Sequence, residues 1–318
     1  MEIPITFHSD EKGYFDRECP NENCLYVFKV FMEDWKEKIS DEEVHCPMCG
    51  HTDTSDKWWT QKQLADIKKT AVNFLSGYVQ RELDKSLRNL ENSTRGNKFV
   101  KISYKPSHRL TFVNNPLGQS SEWEREVVCP KCEIRYSVIG TAYFCPCCGY
   151  NLVEESFEES LDSIVKMLDS LPEMENLFCH SYGKDKSTTM IRSIVEGSLG
   201  DIISAYQKFA EVICNQITSS EVRPNDFQMI EKGSCLFSKA TGKGYDAFLT
   251  KEELSFLNLM FQRRHLMVHN GGIVDEQYIY KSNDNSYIVG QRLVIRANDI
   301  LRLVNTIKKL ATGIKMLR

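Results

Sequence analysis

Eight of the twelve cysteines fall into four close pairs, and that spacing restricts the possible folds more than any other feature. Cys19 and Cys24 precede Cys46 and Cys49; Cys129 and Cys132 precede Cys145 and Cys148. Thiolates two to four residues apart can reach one tetrahedral ion, so two such pairs separated by a β-type run make a zinc ribbon. The runs are 25–31 in the first case and 133–144, with Tyr136, Val138 and Ile139, in the second. Prolines and glycines (Pro47, Gly50, Pro146, Gly149) tighten the knuckles. The first pair has four intervening residues, at the edge of the usual range. His45 or His51 could replace a ligand there, or both could be flanking surface histidines. Three thiols compete for two places at the second ribbon; Cys145 and Cys148 keep the spacing, which makes Cys147 a bystander. Folds this small cannot bury enough apolar surface without metal. Two structural zinc ions per chain are therefore expected. The remaining cysteines, Cys179, Cys214 and Cys235, lack partners at ligand spacing and read as buried small hydrophobes.

The ribbons set the domain plan: a leader or edge strand at 1–16, the first ribbon at 17–56, a connector at 57–126, the second ribbon at 127–153 and a helical region at 154–318. In the connector, Thr60 with Gln63 caps a helix over 60–92, striped with Leu64, Ile67, Ala71, Phe74, Leu75, Tyr78, Leu83 and Leu87. A strand is expected over 98–113, where Lys101, Lys105, His108 and Arg109, near Tyr104 and Trp123, could hold a phosphate backbone or form ordinary sheet surface. Beyond 154 the apolar period becomes helical. Ser156 with Glu159 caps one helix, which Pro172 ends or kinks. A second runs from Met190 to Ile217, residues 219–249 form a long connection, and a third covers 251–269. A helical turn and a strand pair are expected around 282–285. The last helix starts at Asn298-Asp299, with Ile300, Leu303, Val304, Ile307, Leu310 and Ile314 on one side. One-sided helices of this kind make a bundle.

Charge narrows the function classes. The net charge is −4, and residues 1–154 carry 20 Lys/Arg against 23 Asp/Glu. Neither half is a polycation, so nucleic-acid binding would rely on local patches such as 60–112 or 292–318. No run is apolar for long enough to span a membrane, and the start has no signal-peptide pattern. A cytoplasmic location is expected.

The stretch richest in reactive groups is Phe261-Gln262-Arg263-Arg264-His265-Leu266-Met267-Val268-His269-Asn270-Gly271-Gly272. Thr250 and Glu253 form a capping box at the start of its helix, and Asn270-Gly271 is a stop signal. Arg264 and His269 are five residues apart, about 140° around the axis at ~100° per residue. A long arginine can still swing toward the groove that His269 faces. A permanent guanidinium charge beside an imidazole, a group that ordinarily titrates near neutrality, suits phosphoryl-ester chemistry.

Arg264 to His269, followed by Asn270-Gly271-Gly272, resembles the R-x4-6-H signature of the HEPN superfamily of helical ribonucleases. The residue after the arginine is commonly polar in that family, and here it is His265. The likeness covers roughly the C-terminal half. With the ribbons read from cysteine spacing, it gives an expected α+β chain: two zinc ribbons with an intervening long helix, then an all-α HEPN-like helical bundle with a small β-hairpin insertion. It also implies a homodimer whose facing motif helices form one cleft that cuts RNA by 2′-OH attack with no catalytic metal. His269 would act as general base or acid, Arg264 would hold the phosphate, and His265 and Asn270 would orient them. A further polar residue would come from an earlier helix, with Glu196 and Asp201 both eligible. The family also implies a regulated toxin or antiphage defence effector, with an inhibitor or antitoxin partner or a phage-derived trigger. Other readings compete. Some superfamily members keep the bundle for dimerisation alone, which would make this a non-enzymatic zinc-ribbon nucleic-acid-binding or adaptor protein. His265 and His269 could pair on zinc, although Leu266 stands where a metalloprotease needs glutamate. Arg263 and Arg264 could simply cap the helix end.

Overall fold

A computed structural model of the chain describes residues 9–94, 123–218 and 222–318. The strand expected over 98–113, with Lys101, Tyr104, Lys105, His108 and Arg109, lies outside the described residues. The chain divides into two units, Met1–Leu152 and Val153–Arg318. Among the described residues, no helix is long and apolar enough to cross a membrane.

In the first unit, strands β1 (Tyr14–Glu18) and β2 (Val27–Phe31) flank the first cysteine pair, and α1 (Met32–Lys38) follows. The short strands β3 (Val44–His45) and β4 (Thr52–Asp53) bracket the second pair, ahead of α2 (Gln61–Thr94). The third pair sits between β5 (Glu124–Val128) and β6 (Arg135–Ile139). The α2 cap forms as expected: Thr60 N–H donates to Gln63 Oε1 at 3.0 Å, and Gln63 N–H to Thr60 Oγ1 at 3.1 Å.

The two ribbons do not stand apart. Their hairpins join edge to edge in one antiparallel sheet of order β1-β2-β6-β5, with Val30 opposite Tyr136 across the central seam. That order reads the same from either edge, so each hairpin mirrors the other about a pseudo-twofold axis. The cause is burial. Phe28 and Val30 on β2, and Tyr136 and Val138 on β6, share one core with Phe15, Val44, Trp58 and Ile134. A two-stranded hairpin alone is marginal in water, and fusion gives both a common interior. The second knuckles are exchanged in the same way. His45 N–H donates to the Pro146 carbonyl at 3.0 Å, while Tyr143 and Phe144 N–H donate to the Pro47 carbonyl at 2.8 and 3.1 Å.

All four knuckles use one backbone turn. The residue after the second cysteine has positive φ in each: Leu25 (50°), Gly50 (73°), Glu133 (57°) and Gly149 (62°). Its N–H donates four residues back, to Cys46, Cys129 or Cys145, or in the first knuckle to Asn21. Asn21 thus stands where the other knuckles have their first cysteine. Cys19 reaches in from two residues earlier, at the end of β1, which accounts for the wider spacing.

The second unit is helical: α3 (Val153–Asp169), α4 (Leu171–Tyr182), α5 (Lys184–Ile217), α6 (Ile230–Thr241), α7 (Lys251–His269), α8 (Glu276–Ser282) and α9 (Ala297–Lys315). Helix α5 is central and packs against α3, α4, α6, α7 and α9. Leu199, Ile202, Tyr206, Phe209 and Ile213 bury its inward stripe, and Ile300, Leu303, Val304, Ile307, Leu310 and Ile314 of α9 are buried as expected. The protein is therefore α+β, with a small antiparallel sheet and a larger helical part.

Several boundaries differ from the expectations. Ser156 lies inside α3 and does not cap it, because α3 begins at Val153. Pro172 breaks the chain but also opens a new helix: it occupies the first turn of α4, where its missing N–H costs nothing. Helix α5 starts at Lys184, six residues before Met190. The connection at 219–249 contains α6, which closes on Gly242 in the left-handed conformation. The strand pair around 282–285 is absent among the described residues. Asp275 caps α8 by accepting from Tyr278 N–H at 2.7 Å, and the remaining pairing there is a single bridge, Ile273 with Arg292.

Candidate functional site

The cysteines assemble into two sets of four, Cys19, Cys24, Cys46 and Cys49, and Cys129, Cys132, Cys145 and Cys148, with sulfurs within 4.8 Å of one another. Cys19 Sγ lies 3.7 Å from Cys49, Cys24 3.8 Å from Cys46, Cys129 3.8 Å from Cys148, and Cys132 3.5 Å from Cys145. A Zn–S bond of about 2.3 Å sets the edge of a sulfur tetrahedron at about 3.8 Å. The sulfurs thus fit the ion, and each set could hold one zinc. Cys147 stands outside, its thiol donating to the Lys38 carbonyl at 3.2 Å. His45 and His51 are also outside. His45 Nδ1 lies 2.8 Å from Thr52 Oγ1, and His51 Nε2 is 3.7 Å from Asp53. Of the other cysteines only Cys214 is buried; Cys179 and Cys235 are exposed, contrary to expectation.

The motif sits at the end of α7. Thr250 and Glu253 form the capping box, with Glu253 N–H donating to Thr250 Oγ1 at 3.2 Å and Thr250 N–H to Glu253 Oε2 at 2.8 Å. At the other end Asn270 N–H and Gly272 N–H both donate to the Leu266 carbonyl, and Gly271 and Gly272 take positive φ. His265 and His269 are exposed one turn apart, ring centroids 4.5 Å from each other. With Gln262, Asn270, Asp275 and Lys281 they line a cleft of about 240 Å³. Partial burial, and then the charges of His269, Lys281 and Arg264, push His265 below its ordinary value, which keeps it neutral at pH 7. Asn270 spends its amide on the turn, donating to the Ile273 carbonyl at 2.7 Å.

Arg264 does not line this cleft. It is half-buried, and its Nε is enclosed with no hydrogen-bond partner among the described residues. The geometry explains the separation, since four residues turn a helix by about 40° net and five by about 140°. Within one chain the structure brings together His265, His269 and Asn270, and leaves Arg264 on another side of α7.

The comparisons with family models, with characterised proteins and with solved structures return no match.

The adjacent arginine behaves differently. Arg263 is buried and anchored, with its NH2 group 3.0 Å from Asp284 Oδ2, NH1 3.4 Å from Asp299, and Nε 3.4 Å from the Tyr278 hydroxyl. Tyr278 donates to the same Asp284 oxygen at 2.6 Å. Burial pushes the Asp284 carboxyl up, but the hydrogen bonds from Ser286, Tyr278 and Arg263 outweigh it and hold it at about 2. Sequence reasoning missed this network, although a signal existed. Arg263 falls on the apolar stripe, three residues after Met260 and seven after Phe256, where a charge requires a buried partner. Arg292 was missed too. It grips both Glu196 oxygens at 3.0 and 3.1 Å, and it donates to the Gly271 carbonyl. Glu196 is thus tied to the end of the motif helix through Arg292, while Asp201 takes part in no ion pair among the described residues.

Metal analysis should give two zinc per chain, falling to one in Cys145→Ser and staying at two in Cys147→Ser. Arg263→Ala should destabilise the second unit by about 3 kcal/mol, because it strands the buried Asp284 charge. Arg264→Ala should leave the denaturation midpoint near wild type.

Proposed function

We propose that the chain is a metal-independent endoribonuclease acting as a homodimer, in line with the HEPN resemblance. The observation that carries this reading is the end of α7, where exposed His265 and His269 share a polar cleft and the Arg264 Nε has no partner among the described residues. A structural role would engage that arginine, as Arg263 is engaged.

RNA carries its own nucleophile, the ribose 2′-OH beside each phosphate. His269 removes that proton or protonates the departing 5′ oxygen, and a positioned imidazole suits either task. Arg264 places a fixed positive charge against the phosphorane-like transition state, where charge grows on the equatorial oxygens. His265, being neutral, orients rather than neutralises. Arg264 and His269 point to different sides of one helix, so the pair closes only when two copies face each other. Arg264 of one chain then meets His269 of the other. Val268 is 59% exposed and Ile273 40% exposed beside the motif, an apolar rim of the kind such a contact covers. Two structural zinc ions staple the first unit, which would select the RNA or restrain the bundle. An enzyme that cuts cellular RNA needs restraint, which is the basis for placing it as a cytoplasmic toxin or antiphage effector with an inhibitor or trigger.

A second reading, a zinc-bound nucleic-acid-binding or adaptor protein whose bundle only dimerises, is favoured by the two sets of four sulfurs, each able to hold a zinc in the manner of a ribbon.

Incubating RNA with the protein in excess magnesium chelator separates the two. Wild type should yield 2′,3′-cyclic phosphate and 5′-hydroxyl ends, and Arg264→Ala and His269→Ala should each lower the rate by about 100-fold or more. Equal cleavage in all three would assign the activity elsewhere and leave the binding reading standing.

A further inference from the structure

Away from the motif cleft, the second unit holds a larger cavity of about 740 Å³ between α7, the 286–296 segment and the start of α9. Its wall carries Arg263, Arg292, Arg296 and Arg302 against one carboxylate, Asp299, with Tyr287 and Phe256 as its aromatic surfaces. The four arginines are not equivalent. Arg263 is neutralised by Asp284 and Asp299, and Arg292 by Glu196. Arg296 and Arg302 take part in no ion pair among the described residues, and Arg302 instead lies over the Phe256 ring at 4.0 Å from its centroid. Two guanidinium forks with no ion-pair partner among the described residues thus line one wall, and the fork matches the oxygens of a phosphate.

Tyr287 adds a second recognition element. Its hydroxyl is fixed by Val294, accepting from the backbone N–H at 3.3 Å, so the ring is held in place before any ligand arrives. A fixed ring is a stacking platform at low entropic cost. The cavity volume lies within the ~300–1,000 Å³ typical of small-molecule sites.

We propose that this cavity binds a small organic phosphate carrying a flat ring, with Arg296 and Arg302 on the phosphate and Tyr287 against the ring. The assignment does not depend on RNA cleavage, and its test measures binding alone. A phosphate monoester on an RNA end offers the same chemistry, and the titrants below separate the two sources.

The full chain is titrated calorimetrically with AMP, adenosine, inorganic phosphate and a 5′-phosphorylated trinucleotide. AMP should bind, with adenosine and phosphate each at least about tenfold weaker. Arg296→Ala and Arg302→Ala should each weaken AMP by about tenfold or more, in protein that still unfolds in one cooperative thermal transition. Tyr287→Ala should weaken AMP while leaving phosphate unchanged. Arg318→Ala removes an exposed arginine that pairs with Glu154, and it should have no effect. The proposal is overturned if AMP binds no tighter than adenosine, or shows no binding at millimolar concentration. It is equally overturned if Arg318→Ala loses as much affinity as Arg302→Ala, or if only the trinucleotide binds.

Discussion

The buried ion pair between Arg263 and Asp284 fixes how α7 is turned in the second unit. A guanidinium held inside by a carboxylate and a tyrosine hydroxyl cannot rotate outward without leaving a charge stranded. With Arg263 pinned inward, the helix period decides the rest: Leu266 is buried, His265 and His269 are exposed, and Arg264 lies on a third side. The capping box and the Asn270-Gly271-Gly272 stop set the helix length; the ion pair sets its rotation. The exposed imidazoles at the end of α7 are a consequence of both. Arg292 then closes the corner, joining Glu196 on α5 to the Gly271 carbonyl. A Cβ on Gly272 would push against that guanidinium and the Met267 sulfur, and the residue's φ of 78° favours glycine in any case.

The first unit follows a different constraint. Neither ribbon has enough apolar surface to stand alone, and the solution is to share. The β2–β6 seam makes one sheet from two hairpins, and the exchange of knuckle hydrogen bonds through Pro47 and Pro146 repeats the relation beside the sulfur sets. Gly50 meets the Phe144 ring and Gly149 meets the His45 ring, the two halves of one reciprocal contact. Each set of four sulfurs thereby braces the same core.

Much of this was legible in the residues. Cysteine spacing identified both sulfur sets and excluded Cys147, because a tetrahedron of fixed edge tolerates little variation. The capping boxes at Thr60 and Thr250 and the α9 stripe are local signals, and they formed where expected. The misses share a physical cause. Pairing of β2 with β6 is a contact between segments about a hundred residues apart, and no local pattern announces it. Pro172 reads equally as an end or a beginning. The turn at 282–285 looked like a hairpin because Ser-Asn-Asp-Asn suits one, but Asp284 is claimed by Arg263 and Asn283 ends α8 in the left-handed conformation. For the candidate site, residue types and spacing were enough to nominate Arg264 and His269. The same spacing already set the two about 140° apart on the helix; it could not reveal that Arg264 is half-buried while His269 is exposed.

That separation makes the central claim directly testable, by mixing Arg264→Ala protein with His269→Ala protein. If Arg264 of one copy serves His269 of the other, a mixed dimer retains one intact composite site. Random re-association should then recover about a quarter of wild-type RNA cleavage from two inactive parents. Wild type that cleaves, alongside a mixture as inactive as either variant alone after subunit exchange is verified, would contradict the account.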